Sequence, residues 1–364
     1  MRVGVEVSTS QFNRAGAARY SRQILTALRA AAQPATEIIP LWAMPDWRLP
    51  APGLTRKAWV LYWEWVYCPV VLPFRLRRLN LDILHLTHPL PFFAHSAPAG
   101  LCVVATILDV LPISNPEWFG RWMGWRLRRW LRQTASRAHY VLAISEYTRF
   151  QLHARLSIPL ERCTVTPLAA APAPPLTPVQ AAAPPYLLTV GTLEPRKNLK
   201  SVLRAYQQVK LADPATPPLW IVGGDGWGNV RVEELVAQLG LAAAVRVLSY
   251  VDDARLAELY RDARALIYPS LAEGFGLPPL EAMQAGCPVI TSNTSALPEV
   301  VGEAALLVDP LDEAALAQAI RAVCTDSALS ARLRDQGMAR AALFSWGRCA
   351  RETLAAYQHA RAFA

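Results

Sequence analysis

Two doubly wound α/β domains are the fold that this 364-residue sequence predicts. Short β-branched runs alternate with helical stretches along the chain, the pattern of helices layered on parallel sheets. At 53% hydrophobic and 18% charged residues there is apolar material for two cores, and the length exceeds what one core usually serves. The alternation breaks once, at an Ala/Pro-rich stretch from Pro167 to Pro185 with seven prolines. Such a stretch forms neither a continuous helix nor a central strand, and it reads as a semi-rigid linker.

Val3–Val7 opens the first domain as a strand, followed by a loop and a helix from about Gly16 to Ala30. Ile83–Leu86, Cys102–Ile107 and Tyr140–Ile144 are short apolar runs that read as buried strands. The second domain starts with strand Tyr186–Val190, turn Gly191–Asn198 and helix Leu199–Leu211. Strand Leu219–Val222 meets the turn Gly223-Gly-Asp-Gly226. Strand Val245–Leu248, helix Asp253–Arg261, strand Ala265–Tyr268, a helix opening at Leu277 and strand Val289–Thr291 complete the alternation. Ser345 is placed to cap a final helix, and Ser145 to cap one after the third buried strand. Doubly wound sheets bind ligands beyond the carboxyl ends of their strands, where the Gly191 turn, the Gly223 turn and the segment after Tyr268 all fall.

The net charge of +9 is unevenly spread. Residues 1–180 hold 20 Lys and Arg against 9 Asp and Glu, a balance of +11; residues 181–364 hold 17 against 19, a balance of −2. Nine of the 12 Trp also lie in the basic half, which fits an anionic membrane surface. Nucleic acid is not expected, because no recognition motif accompanies the charge. No apolar run reaches about eighteen residues, so no spanning helix is expected. Glu6 interrupts the N-terminal apolar run, so that run reads as a strand and not a signal peptide, and a cytoplasmic protein follows. Six scattered cysteines, with no C-x-x-C and no clustered histidine, predict neither a metal site nor a disulfide framework.

The densest chemistry lies between Pro269 and Thr291. Glu273 and Glu281 stand eight positions apart, with the turn Gly274-Phe275-Gly276 after the first and a helix start at Leu277. Ionised carboxylates accept hydrogen bonds from sugar or ribose hydroxyls. Backbone N–H groups at a turn and a helix N-terminus face negative charge such as a diphosphate. The combination suits a nucleotide sugar. Val190–Leu199 adds a strand, a Gly turn, the adjacent cations Arg196 and Lys197, and a helix; cations there would neutralise a diphosphate at rest and as it departs.

Glu273-Gly-Phe-Gly-Leu-Pro278, then Glu281 and Gly286-Cys-Pro-Val289, resembles the retaining GT-B glycosyltransferases of glycosyltransferase family 4, the group 1 transferases. The resemblance implies two Rossmann-like domains facing across a cleft. Residues 1–178 would form the acceptor side and 184–344 the donor side, with a C-terminal helix, 345–364, crossing back. It implies metal-independent transfer of a hexose, mannose or rhamnose, from a nucleoside diphosphate sugar to a hydroxyl of a lipid-linked or polysaccharide acceptor. The nucleotide sugar is then a co-substrate, and no cofactor is expected.

By the same resemblance Glu281 holds the ribose and Glu273 the hexose hydroxyls. Gly274, Phe275, Gly276 and Leu277 contribute main-chain contacts. Gly191, Thr192, Arg196 and Lys197 form the phosphate loop, with Thr192 where many members carry Arg. Gly16, in a loop following the first strand, would approach donor or acceptor closely. Asp109 ends a strand where relatives commonly read His-Asp, and here Leu108 replaces the His. Asp109, or His88 in the loop after the preceding strand, is then the candidate to assist the acceptor, whereas His85 reads as a satisfied strand histidine. A catalytically silent sugar-nucleotide-binding subunit is the rival from another class, and a GT-B epimerase the rival within the fold. No G-x-G-x-x-G follows the first strand, which excludes a dinucleotide reading.

Residues 118–132 are unusual. Trp118, Trp122 and Trp125 follow a helical i, i+4, i+7 spacing, with Arg121, Arg128 and Arg132 on a neighbouring face. Two readings fit: a helix lying in an anionic membrane interface, or a Trp face packed on the first domain.

Overall fold

Each β-branched run becomes a parallel strand, and the strands assemble into two six-stranded sheets. The computed structural model describes residues 1–11, 16–43, 54–91, 98, 100–171, 185–224, 226 and 231–364. Asn13, Arg14 and Ala15 of the first loop, residues 172–184 of the Pro-rich linker and Asp225 of the second Gly turn lie outside those residues. The chain divides into two units: Met1–Pro116, Arg121–Leu168 and Ser345–Ala364 in the first, Glu117–Gly120 and Ala169–Phe344 in the second.

In the first unit the strands are β1 (Arg2–Glu6), β2 (Glu37–Leu41), β3 (Ile83–Leu86), β4 (Cys102–Ile107), β5 (Tyr140–Ala143) and β6 (Cys163–Val165), in the order β2-β1-β3-β4-β5-β6. The interior strands β3, β4 and β5 are buried at every residue, which is why they read as unbroken apolar runs. Edge strand β2 tolerates Pro40 because one of its sides makes no ladder. Around the sheet lie α1 (Gly16–Ala31), α2 (Leu54–Tyr62), α3 (Leu72–Leu79), α4 (Leu111–Ser114), α5 (Arg121–Arg137) and α6 (Glu146–Leu156). A π-helix, Trp63–Val71, joins α2 to α3 without a break, and the Leu72 N–H donates to the Tyr67 carbonyl. Pro69 sits inside it; the wider winding accommodates a residue that has no N–H to give. Ser145 caps α6 by accepting from the Thr148 N–H.

In the second unit β7 (Tyr186–Val190), β8 (Leu219–Val222), β9 (Val245–Leu248), β10 (Ala263–Tyr268), β11 (Val289–Ser292) and β12 (Leu306–Val308) run in the order β12-β11-β10-β7-β8-β9, again all parallel. The helices are α7 (Leu199–Ala212), α8 (Val232–Gln238), α9 (Asp253–Asp262), α10 (Leu277–Gln284), α11 (Leu297–Val301), α12 (Glu313–Thr325) and α13 (Ser327–Ala341). Asp252, Asp312 and Asp326 each accept from a first-turn N–H and so fix the starts of α9, α12 and α13. Strand order reverses between β7 and β10. Such a reversal opens the crevice in which these sheets take ligands.

The last helix, α14 (Trp346–Ala360), belongs to the first unit. Ser345 caps it, accepting from the Arg348 N–H at 3.1 Å. Its Tyr357 is fully buried and shares a 2.7 Å hydrogen bond with His85 Nδ1, while His85 Nε2 meets Thr106 at 2.8 Å. Both nitrogens of this strand histidine are thus occupied, and burial lowers its pKa to about 3.

The Trp face expected over 118–132 does not form as one surface. Trp118 lies on a separate 3-10 turn, Pro116–Trp118, and α5 begins only at Arg121, after Gly120. Trp122 and Trp125 stack on each other at 5.2 Å and stay exposed, so they are not packed on the domain.

Candidate functional site

At the switch point of the second sheet, register places the β7 loop beside the β10 loop, with Leu188 paired to Leu266. The β7 loop turns at Gly191, whose φ of +148 suits glycine, and Lys197 packs directly over it. A 3-10 turn, Pro195–Lys197, then presents the two cations, and Asn198, at φ 57, leads into α7. Asn198 Nδ2 donates to the Pro269 and Pro310 carbonyls, at 3.2 and 2.6 Å. Ser270 Oγ and the Leu271 N–H both reach the Arg196 carbonyl. The two loops are therefore fastened to each other through main chain.

That fastening gathers one charge cluster. Glu273 Oε1 accepts from Lys197 Nζ at 2.6 Å, Tyr268 OH at 2.7 Å and Ser270 Oγ at 2.7 Å. Arg196 Nη1 stands 2.5 Å from Glu273 Oε2 as an ion contact, and Arg196 Nε donates to Glu194 at 2.8 Å. Lys197 Nζ also donates to Tyr268 OH. Burial alone would raise the Glu273 carboxyl, but Arg196 and Lys197 outweigh it and hold the group well below the ordinary carboxylate range. Burial brings the Lys197 ammonium down to about 8, although Glu273 pulls the other way. For Glu194 burial prevails over its two cations and the pKa rises. The cluster thus holds a fixed anion and two cations with little water around them, where each charge acts strongly on a ligand.

Glu281 lies in the second turn of α10, buried, and accepts from Tyr260 OH at 3.3 Å. Gly276 opens this helix at φ +118, and a Cβ there would stand 2.7 Å from the Leu297 side chain. Pro278 and Pro279 have no N–H, so amide donors at this helix start are confined to Leu277 and the turn before it. The Phe275 ring is buried edge-on against Phe344 at 5.8 Å, which leaves its main chain as the part able to meet a ligand. Thr192 and Glu194 crowd Gly226, where a Cβ would come within 2.8 Å of both.

The remaining candidates lie in the first unit. Gly16 begins α1, and no described residue stands within 4 Å of its Cβ position. Asp109 Oδ1 accepts from the Leu111 N–H at 3.0 Å at the start of α4. His88, the other acceptor-side candidate, lies in the loop after β3. It is buried, stacked on Trp63 at 5.7 Å, with Nδ1 held by Thr9 at 3.1 Å. Its Nε2 faces Glu6 Oε2 at 3.8 Å, and neither atom has a hydrogen-bond partner among the described residues. Burial pushes the Glu6 carboxyl up to about 7 and lowers His88 to about 3. Glu6 ends β1 and His88 follows β3, and between these two strands the first sheet reverses its strand order.

Sequence reasoning missed Tyr268, Ser270 and Glu194, which complete the Glu273 cluster, and Tyr260, the partner of Glu281. It also missed Ser295, whose Oγ accepts from the Glu273 N–H at 3.0 Å from a left-handed backbone position. A signal existed only for Glu194, a carboxylate two residues before Arg196. Among the described residues no group of three His, Cys, Asp or Glu side chains is arranged to hold a metal ion.

Known proteins resemble this chain along both units. The pattern described as "Glycosyl transferases group 1" matches residues 179–340, and that described as "Glycosyltransferase Family 4" matches residues 4–170. The O-antigen chain mannosyltransferase B of Escherichia coli is 35% identical over 265 residues, covering 70% of each chain. The O-antigen chain mannosyltransferase RfbU of Salmonella typhimurium is 28% identical over 268 residues, covering 74% of this chain and 71% of the other. Sucrose-phosphate synthase from Thermosynechococcus elongatus shares the fold over 98% of both chains, with a TM-score of 0.73 at 20% identity.

Proposed function

We infer the reaction from one premise: the chain belongs to the group 1 glycosyltransferases of glycosyltransferase family 4. It moves a mannosyl group from a nucleoside diphosphate sugar to a hydroxyl of a lipid-linked or polysaccharide acceptor, with retention at the anomeric carbon and without a metal ion. The mannosyl assignment is supported by relatives named as O-antigen mannosyltransferases. The single observation that carries the chemistry is the buried cluster of Arg196, Lys197 and Glu273 at the switch point of the second sheet.

Without a ligand, Glu273 balances both cations. The diphosphate would take over part of that role, its oxygens meeting Arg196, Lys197 and the amides of the Gly274–Leu277 turn. Glu273, anionic and fixed by Tyr268 and Ser270, would then accept hydrogen bonds from mannose hydroxyls. Glu281 would hold the ribose. In the reaction the bond between the anomeric carbon and the diphosphate oxygen breaks, and its electron pair goes to the leaving group, where the two cations stabilise it. The acceptor oxygen bonds to the same face of the carbon, and its proton passes to the departing phosphate. No protein nucleophile is needed. Work at the inner face of an anionic membrane, through residues 118–132, belongs to the same proposal.

Purified protein should release nucleoside diphosphate from one nucleotide mannose in a panel when acceptor is present, with chelator making no difference. The product's anomeric configuration, read by NMR, should match the donor's. Lys197→Ala should lower kcat by about 10²–10³ with the fold intact. Ligand binding without turnover on any donor would leave a binding subunit instead.

A further inference from the structure

We propose that the continuous helix Leu54–Leu79 and α5 form one face of the first unit that docks on an anionic membrane, anchored mainly by Leu61, Trp65, Val70 and Phe74. Residues 118–132 would then be the lesser part of the footing. The inference extends the transfer reading, since docking would bring the protein to a lipid-held acceptor, but the surface itself stands on separate observations.

Leu61, Trp65, Val66, Val70 and Phe74 are all exposed, at 56%, 59%, 41%, 62% and 54% of their surface. Leu61, Trp65, Val70 and Phe74 are spaced by steps of four, five and four residues, and the step of five lies wholly within the π-helix. Residues four apart align along α-helix, and residues five apart align where the backbone bonds i to i+5, as Leu72 does to Tyr67. The π-helical segment therefore keeps the apolar residues in a single stripe. The opposite face, with Trp63, Tyr67, Cys68, Leu72 and Leu76, supplies core. Single exposed apolar side chains are ordinary, but a stripe of four, with Val66 beside it, is not.

α5 lies alongside. Its Arg126 pairs with the buried Glu64 of the π-helix, and its Trp130 meets Trp63 edge-on at 6.2 Å. It adds exposed Trp122, Met123 and Trp125. With Glu64 buried, the exposed charge of the described side chains on these two helices has one sign. The Arg78 guanidinium sits 4.1 Å from the Phe74 ring, and that of Arg129 sits 5.7 Å from the Trp125 ring. Arg77, Arg121 and Arg132 are exposed nearby in the chain, and α5 contains no acidic residue. Indole and phenyl rings beside guanidinium groups suit the boundary between anionic headgroups and acyl chains. The same charge opposes a second copy as occupant, because a two-fold contact over this face would set arginine against arginine.

Flotation on phosphatidylcholine vesicles, with and without phosphatidylglycerol, tests the proposal on the full chain. The protein should float with anionic vesicles, and less so as salt rises through the range that screens surface charge. Combining Leu61→Ser, Trp65→Ser, Val70→Ser and Phe74→Ser should weaken vesicle binding at least about tenfold. Trp122→Ser with Trp125→Ser should weaken it less. Both variants should keep the parent's thermal unfolding and its affinity for nucleoside diphosphate, since these side chains lie outside the core and outside the second unit. Vesicle binding with no turnover on any nucleotide sugar would overturn the transfer reading and leave this one standing. Three results would overturn the docking face: a four-site variant that floats like the parent, equal flotation on neutral vesicles, or a lipid-free dimer that the four-site variant dissociates.

Discussion

In the proposed reaction Lys197 serves both binding and chemistry, and its environment would give both a pH dependence. Burial lowers the ammonium from 10.5 to about 8. In the proposed site it would serve a phosphate only when charged. The value of kcat/KM, which reports the free enzyme, should therefore fall as pH rises through about 8. Unfolding would not cause that fall. Between about 8 and 10.5 the unfolded chain binds the extra proton, so the Lys197 contribution to stability grows with pH across that window while activity declines. Lys197→Arg should show a lower plateau, because a guanidinium does not reproduce a point charge, but no decline up to pH 10. A parent profile flat through pH 9 would remove Lys197 from the phosphate site. At this scale the sequence was legible where chemistry is written in neighbouring residues: Arg196 with Lys197, and Glu273 with the glycine turn. Tyr268, Ser270 and Tyr260 were not legible. Tyr268 reads as one more apolar strand position and Ser270 as a turn residue; their meaning comes from the pairing of β10 with β7 across some seventy-five positions of chain.

The two glycine turns behind the cations show how elements hold the site. A Cβ at Gly223 would lie 2.0 Å from the Gly191 carbonyl oxygen, so the turns after β7 and β8 are in main-chain contact. Gly223→Ala must push the Gly191 loop, and with it Lys197, out of place. The expected cost is at least the roughly 1–3 kcal/mol of an overpacked core, because backbone rather than a flexible side chain has to move. Affinity for nucleoside diphosphate should fall as well. Gly224→Ala is the control: no described residue lies within 4 Å of its Cβ position, and neither quantity should change appreciably. Chemical denaturation and nucleotide titration of both variants read this directly, and equal behaviour would show that the turn contact does not position the site. Interior elements of both sheets were legible because burial on two faces makes their sequences continuously apolar. Edge strands β2, β6 and β12 were not, being short and diluted by residues such as Pro40. The helix from Leu54 to Leu79 escaped notice because Pro69 and Pro73 are ordinarily breakers; the π winding admits the first, and the start of α3 admits the second.

At the scale of the molecule, the chain returns at its end to the unit in which it began, and α14 completes that unit's core. Tyr357 is the fastening point: fully buried, with its hydroxyl on His85 Nδ1, which also ties α14 to β3. Ser345 as a cap was readable in the sequence, but nothing there said which buried group would receive Tyr357. Tyr357→Phe keeps the packing and leaves a buried imidazole nitrogen without its partner, a cost of about 1–3 kcal/mol. Tyr357→Ala adds a cavity and should cost about 3–5 kcal/mol. Because α14 belongs to the first unit alone, both losses should appear there. Hydrogen exchange should show β3, β4 and α1 opening more readily in either variant, with the strands of the second unit protected as in the parent. Nucleoside diphosphate, which the proposed site would take up on the second unit, should still stabilise that unit by mass action. If exchange instead accelerated equally in both units, they would unfold as one cooperative body, and the nucleotide site would depend on the C-terminal helix for its stability.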